Sequence, residues 1–211
     1  MNVDFAVLGG SYAGLSAALQ LARARRQVLV VDAGQRRNRF VDEAGGSSHG
    51  FLGQDGRAPA EIAAEAKRQL LRYPTVKWID GMADQAERLP NGRFAFRVGD
   101  VALSAARLVL ATGVRDELPP VAGLAQRWGR SVFHCPYCHG YELGSSPVAQ
   151  QLGCVFADGP MGSFIQVGAM QETSVPNLFA CGDAARGAGN VALAVGDGAL
   201  AGVGAHRSTM L

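Results

Sequence analysis

The sequence predicts an α/β fold, and three observations support that prediction. The first 32 residues run through an apolar segment, a helical pattern and a second apolar segment, which is the order of a β-α-β unit. A glycine turn joins the first apolar segment to the helix. Further along the chain, alternating polar and apolar residues surround a hairpin signal. We therefore expect a parallel sheet covered by helices, with an antiparallel meander beside it.

The β-α-β unit begins the chain. Asp4–Leu8 is a short apolar run that ends in Gly9-Gly10. From Tyr12 to Arg26, apolar residues recur at the spacing of one helix face. Val28–Val31 is then a continuous apolar run, which is typical of a parallel strand buried on both faces.

The middle of the chain predicts the meander. Between Thr75 and Ala106, the runs Val76–Ile79 and Arg93–Val98 alternate, and Asn91-Gly92 is a typical hairpin turn. Arg107–Ala111 then returns to the pattern of a buried strand. We expect the first two runs to belong to the meander and the third to the parallel sheet.

The remaining segments complete the predicted layers. Residues 34–57 form a long glycine-rich loop, a length at which loops are usually functional. Pro59–Leu71 predicts a helix with proline in its first turn. Short strands are expected near Cys154–Phe156 and Leu178–Ala180, and a final helix rich in alanine and glycine near residues 190–206.

Composition narrows the class of protein. The 211 residues are 48% hydrophobic and 18% charged, and 20 basic against 18 acidic residues leave a net charge of +2. These values predict a compact protein of one domain and argue against nucleic acid as a partner. No apolar run approaches the roughly 20 residues of a membrane span, and the N-terminus lacks the layout of a signal peptide. The sparse use of cysteine favours a cytoplasmic protein with one redox or metal pair.

The glycine turn predicts a nucleotide site. Gly9-Gly10-Ser11-Tyr12-Ala13-Gly14 follows a strand and opens a helix, as a pyrophosphate-binding turn does, although Ser11 stands where a second glycine is usual. Asp32 ends the next strand about 20 residues on, where an acid can accept the ribose hydroxyls. The alternatives are a chance glycine turn and a solvated strand end. Together the two features favour nucleotide binding.

Two closely spaced thiols form the other motif. Cys135-Pro-Tyr-Cys138 can form a dithiol/disulfide couple, and His139 can exchange the proton that thiol chemistry requires. The alternatives are half of a zinc site for the cysteines and a surface position for the histidine. Cys154 and Cys181 stand alone and are interpreted as small buried residues.

Four segments in series resemble a known family. Val7–Ser16, Leu110–Gly113, Cys135–Glu142 and Thr173–Ala184 stand in the order found in low-molecular-weight thioredoxin reductases. The C-P-Y-C-H-G form is most similar to the branch of gliotoxin- and holomycin-type dithiol oxidases. The resemblance implies an FAD-binding, Rossmann-like three-layer fold in a single domain, built from a parallel sheet, helices and an antiparallel β-meander.

The same resemblance implies an FAD site drawn from both ends of the chain. The glycine turn would hold the pyrophosphate, Asp32 the adenosine ribose and Asp183 the ribitol chain. Asn190-Val191 would face the flavin ring. The implied cofactor-binding residues are Gly9, Gly10, Ser11, Tyr12, Ala13, Gly14, Asp32, Ala33, Asn38, His49, Ala83, Thr112, Gly113, Gly182, Asp183, Asn190 and Val191.

The resemblance also implies an oxidoreductase. Cys138 would lie next to the flavin, Cys135 would meet the substrate, and His139 would serve as acid and base. The expected partner is a small-molecule or protein dithiol or disulfide, with oxygen as a possible acceptor, and no metal is expected. A homodimer is expected by the same analogy.

One departure from the family concerns its second nucleotide-binding domain. The family places an NADPH domain after the cysteine segment, whereas here only Gly144-Ser145 separates Leu143 from Ser146. We therefore expect residues 1–113 and 147–211 to form the FAD-binding domain, and residues 114–146 to carry the cysteines and the joint. The alternatives are a truncated or engineered FAD-binding module with little thiol turnover, and a zinc-binding adaptor.

Overall fold

A computed structural model of the chain describes residues 1–36, 45–116, 120–127, 143–144, 147–159, 162–187 and 189–210. Cys135, Cys138, His139 and Asn38 lie outside these ranges. The other predicted site residues lie within the described ranges.

In the described part of the chain, strands and helices alternate up to residue 80. The helices are α1 Tyr12–Arg23, α2 Pro59–Leu70, α3 Leu124–Arg127, α4 Pro147–Gln151 and α5 Val191–Arg207, with a 3₁₀ turn at Gly182–Ala185. The strands are β1 Asn2–Leu8, β2 Val28–Asp32, β3 Val76–Asp80, β4 Ala83–Arg88, β5 Phe94–Val98, β6 Val101–Leu110, β7 Arg115–Asp116, β8 Leu143–Gly144, β9 Phe156–Gly159, β10 Gly162–Ile165 and β11 Leu178–Ala180. Within the described ranges, no helix combines the length and apolar character of a membrane span.

The central sheet joins a parallel half to an antiparallel half. Its strand order is β3-β2-β1-β6-β5-β4, and β11 pairs with the second half of β6. The pairs β1–β2, β2–β3, β1–β6 and β6–β11 are parallel, whereas β4–β5 and β5–β6 are antiparallel. The predicted α/β fold class, with a parallel sheet, helices and a meander, is confirmed.

Two hydrophobic cores lie on opposite faces of the parallel strands. Along β1, Phe5 and Val7 belong to one core and Ala6 and Leu8 to the other, because successive side chains of a strand point to opposite faces. Side chains of α1, α2 and α5 fill the first core. Those of β5, β10 and α4 fill the second. Burial on both faces accounts for the continuous apolar runs in the sequence.

One strand of the predicted meander belongs elsewhere. Val76–Asp80 pairs in parallel with β2 and forms an edge of the central sheet, so its assignment to the meander was wrong. An edge strand is only partly covered, and its half-buried pattern therefore imitates that of an antiparallel strand. The meander is instead β4–β5–β6, and Ala83–Arg88 was not predicted as a strand.

The strand β6 combines two predicted segments. Val101–Ala105 pairs with β5, Leu108–Leu110 pairs with β11, and β6 pairs with β1 from Ser104 to Leu110. The hairpin at Asn91-Gly92 is confirmed: Gly92 has φ +79°, and the Leu89 amide donates to the Arg93 carbonyl at 2.8 Å. The meander therefore grows directly from a strand of the parallel sheet.

Helices α1 and α5 approach closely through glycine. A Cβ on Gly198 would overlap the carbonyl oxygen of Ala13, and one on Gly202 would lie 2.5 Å from the carbonyl oxygen of Ala17. The Ser16 hydroxyl donates to the Val195 carbonyl at 2.7 Å across the same crossing. The glycines of α5 thus set the distance between the helices.

Two alanine substitutions in α5 should have opposite effects on the free energy of unfolding. Gly198→Ala inserts a methyl group into the α1 backbone and should cost about 1–3 kcal/mol, as overpacking does. Gly196→Ala is the matched control, since a Cβ there meets nothing within 4 Å. It should gain about 0.5–1 kcal/mol of helix propensity. Urea unfolding of both variants measures the difference, and equal stabilities would contradict the close crossing.

Candidate functional site

The turn between β1 and α1 is closed by direct backbone contact. Gly9 has φ +107°, a conformation that favours glycine, and its amide donates to the Val31 carbonyl at 2.8 Å. A Cβ on Gly14 would overlap the Gly9 carbonyl oxygen. The N-cap residue Ser11 makes no side-chain capping bond, so the positive end of the α1 dipole is available to an anion.

Asp32 ties the end of β2 to this turn. Its Oδ1 accepts a hydrogen bond from the Gly10 amide at 3.1 Å, and its backbone carbonyl accepts one from Gly81 at 2.8 Å. Among the described residues, no hydrogen bond to Asp32 Oδ2 is found. A carboxylate fixed in this way can offer its second oxygen to a pair of hydroxyl groups.

The segment after β11 reaches the same place from the other end of the chain. Gly182 has φ +66°, and a Cβ on it would lie 2.8 Å from the Cβ of Ala13 in α1. Thr112 follows β6, and its amide nitrogen would lie 3.1 Å from a Cβ on Gly9. The structure therefore brings together the glycine turn, Thr112 and Gly182 at the carboxyl ends of parallel strands, where open α/β sheets bind ligands.

An ion pair outside the sequence motifs holds the segment between β11 and α5. Arg186 Nε and Nη2 donate to the two carboxylate oxygens of Asp197 at 2.8 and 2.6 Å. Asp197 is only 5% exposed, and its hydrogen bond raises the pKa of Arg186, with a smaller contribution from Asp183. The sequence feature that points to this ion pair is Asp197, the lone acid in a helix rich in alanine and glycine.

Asp183 and Asn190 lie at the two ends of this segment. A Cβ on Gly189 would be 2.9 Å from Asp183 Oδ1, so the backbone passes close to that carboxylate. Asn190 caps α5, accepting the Leu193 amide on its Oδ1 at 2.9 Å. Val191 is the first residue of the helix. The predicted start of the final helix is thereby confirmed.

Three other predicted cofactor-binding residues, Ala33, His49 and Ala83, also lie in the described part of the chain. Ala33 is exposed and directly follows Asp32, and Ala83 begins β4 against the second core. The side chain of His49 is 70% exposed, and its Nδ1 lies 3.5 Å from Asp55 Oδ2. The Gly50 amide and then His49 lower the pKa of Asp55. The hydrogen bonds found for His49 stay within its own loop.

Cys154 and Cys181 are buried free thiols, as interpreted from the sequence. Burial raises the pKa of both, and the negative charge of Asp197 adds to the effect at Cys181. Both sulfurs are therefore held as neutral thiols. In the part of the chain that the structure describes, no group of three or more His, Cys, Asp or Glu side chains could hold a metal ion.

The sequence matches a family of known enzymes. Residues 3–156 match the model of the pyridine nucleotide-disulphide oxidoreductase family. The chain is 36% identical to thioredoxin reductase tcpT of Claviceps purpurea over 165 residues, which are 76% of this chain and 48% of that protein. It is also 36% identical to thioredoxin reductase aclD of Aspergillus oryzae over 148 residues, covering 68% and 45%. The chain thus spans about half the length of these relatives.

Solved structures share the fold. An oxidoreductase from Agrobacterium tumefaciens is 40% identical with a TM-score of 0.88, and the match covers 100% of this chain and 99% of that one. HlmI is 28% identical with a TM-score of 0.82, covering 99% and 93%. These comparisons agree with the resemblance to thioredoxin reductases inferred from the four sequence motifs.

Cys154 and Cys181 should resist alkylation in the native protein. A raised pKa lowers the thiolate fraction at a given pH, and the thiolate is the species that iodoacetamide attacks. At pH 8 we expect both cysteines to be modified only after denaturation. Peptide mass spectrometry of native and denatured samples measures this, and rapid native labelling of Cys181 would contradict its burial.

Proposed function

We propose that this chain, which belongs to the pyridine nucleotide-disulphide oxidoreductase family, binds FAD and exchanges electrons with a dithiol or disulfide. One observation carries the proposal. The glycine turn, Asp32 and the Gly182-Asp183 segment converge on the N-terminus of α1, although they come from opposite ends of the chain. A Cβ on Gly10, Gly14 or Gly182 would meet neighbouring protein atoms, so the backbone at this convergence is closely packed, as a turn that lies against a dinucleotide pyrophosphate must be.

The residues present fit FAD along its length. The α1 N-terminus and the Gly9–Gly14 turn would hold the pyrophosphate, and Asp32 Oδ2 would accept the ribose hydroxyls. Asp183 would bond the ribitol chain, with Asn190-Val191 toward the ring. The Arg186–Asp197 pair would keep that segment in place. FAD, when bound, would supply two-electron redox chemistry.

The proposed thiol chemistry uses the cysteine pair. A substrate thiolate would attack the Cys135–Cys138 disulfide, and the second substrate thiol would close the product disulfide and leave two enzyme thiols. His139 would take the proton of the attacking thiol. Cys138 would then pass the two electrons on to the cofactor, and oxygen is the proposed final acceptor. All three residues lie outside the described ranges.

The backbone pairing of β7 and β8 supports the proposed division of the chain. Arg115 pairs with Gly144 and Asp116 with Leu143, in antiparallel register. Residues near the two ends of segment 114–146 therefore lie side by side. Residues 1–113 and 147–211 can close as one FAD-binding domain around it, without a nicotinamide domain in between. A homodimer and a cytoplasmic location stay predictions.

The alternative is an FAD-binding module with little thiol turnover. It is favoured by the match to only about half of the relatives' length. Catalysis is sensitive to position, since a misplacement of about 1 Å can cost 10²-fold in rate. A cysteine segment that no longer reaches the cofactor would leave binding intact and abolish electron transfer.

The purified protein should carry FAD. Gly14→Ala should lose the cofactor, because the new methyl group overlaps the Gly9 carbonyl oxygen and opens the turn. Gly196→Ala is the control and should bind FAD normally. Chromatography of the released cofactor and the visible spectrum measure both results. Release of FMN, or no flavin after reconstitution with FAD, would refute the cofactor assignment.

A small dithiol should reduce the flavin through Cys138. Under anaerobic conditions, wild type should bleach on titration with dithiol, whereas Cys138→Ser should bind FAD and stay oxidised. NADPH is the matched control reductant and should act slowly, because the proposed division of the chain includes no nicotinamide-binding domain. Equal reduction of both proteins by dithiol, or of neither, would favour the binding-module alternative. Fast bleaching by NADPH would reveal an unrecognised nicotinamide site.

A further inference from the structure

We propose that Trp78 is a positioning residue for the nucleotide, acting through Gly10 and Asp32. The proposal rests on the proposed function, because it assumes that the turn and Asp32 receive the ADP half of FAD. Trp78 lies on β3, two strands away from the turn that it contacts. The Gly9–Gly14 motif does not include Trp78.

The indole ring fills the space beside the turn. A Cβ on Gly10 would overlap the ring at Cη2, and would lie 2.6 Å from its Cζ2 and 2.7 Å from the Cβ of Asp32. The ring edge, the Cα of Gly10 and the side chain of Asp32 are therefore packed against one another. This contact fixes the two ends of the hydrogen bond from the Gly10 amide to Asp32 Oδ1.

Two charged residues, Asp80 and Lys67, hold the indole ring in place. Trp78 Nε1 donates to Asp80 Oδ1 at 2.8 Å, and Lys67 Nζ lies 3.8 Å from the ring centroid and 3.7 Å from the same carboxylate oxygen. Asp80 pairs in register with Asp32, so the two acids end neighbouring strands. Asp80 holds the indole, and Asp32 is left to the Gly10 amide and to a ligand.

Removing the ring should therefore weaken nucleotide binding without removing any ligand-contacting group. With the space empty, the Gly10 peptide and the Asp32 carboxylate gain alternative conformations. Binding must then order them again, and this ordering reduces affinity. The same space explains why a side chain at residue 10 is excluded by tertiary packing rather than by backbone conformation.

Titration of FAD into the cofactor-free protein tests the proposal. Trp78→Ala should weaken binding about tenfold, the scale of one lost oriented hydrogen bond. Val76→Ala is the matched control, since Val76 lies on the same strand and packs against the same core, and it should change affinity by less than about threefold. Trp78→Phe keeps an aromatic ring but lacks Nε1, and it should also weaken binding. Thermal unfolding verifies that each variant is folded.

A double-mutant cycle distinguishes positioning from general loosening. If Trp78 acts through Asp32, Trp78→Ala should change FAD affinity by less than about threefold in an Asp32→Asn background. Fully additive losses, or a loss for Trp78→Ala equal to that for Val76→Ala, would overturn the proposal. Binding of FAD by the wild type would still uphold the FAD assignment in that case. A wild type that binds no FAD would overturn the proposed function, and this proposal with it.

Discussion

Close approach of backbone at the N-terminus of α1 is the constraint on which the candidate site depends. The Cα of Gly14 rests on the Gly9 carbonyl, Gly198 of α5 rests on the Ala13 carbonyl, and Gly182 meets the side chain of Ala13. Each contact excludes a Cβ, so three glycines from distant parts of the sequence hold one helical turn in place. An anion site made of helix amides requires this rigidity, because amides that must first be ordered bind weakly.

An ion pair reinforces this packing at the segment between β11 and α5. A buried carboxylate such as Asp197 is costly unless it is paired, and the bidentate contact with Arg186 satisfies both of its oxygens. The pair links the end of the 3₁₀ turn to the middle of α5. Asp183 lies in the turn that Arg186 ends, and Asn190 lies between the two paired residues in the chain. Buried pairs give little net stability, so the effect we expect of this ion pair is specific placement.

Several residues of the candidate site could be singled out from the sequence because their signals are local. The glycine turn follows a strand directly, Asp32 ends the next strand, and Asn190 caps the final helix within its own first turn. Trp78 and Asp197 could not be identified in the same way. Their importance depends on Gly10 and Arg186, which tertiary folding brings to them. The exposed position of His49 in its loop likewise depends on the folding of that loop around Asp55.

The sequence alone determined the β-α-β unit, the hairpin at Asn91-Gly92, the buried strands and the family to which the chain belongs. These follow from periodicity, turn residues and motif order, which act over a few neighbouring residues. Only the tertiary structure decided that β3 is a parallel edge strand, that β6 serves both halves of the sheet, and that Trp78 packs against the glycine turn. The physical reason is that strand pairing and close packing are chosen by partners far away in the chain, whose burial outweighs local preference.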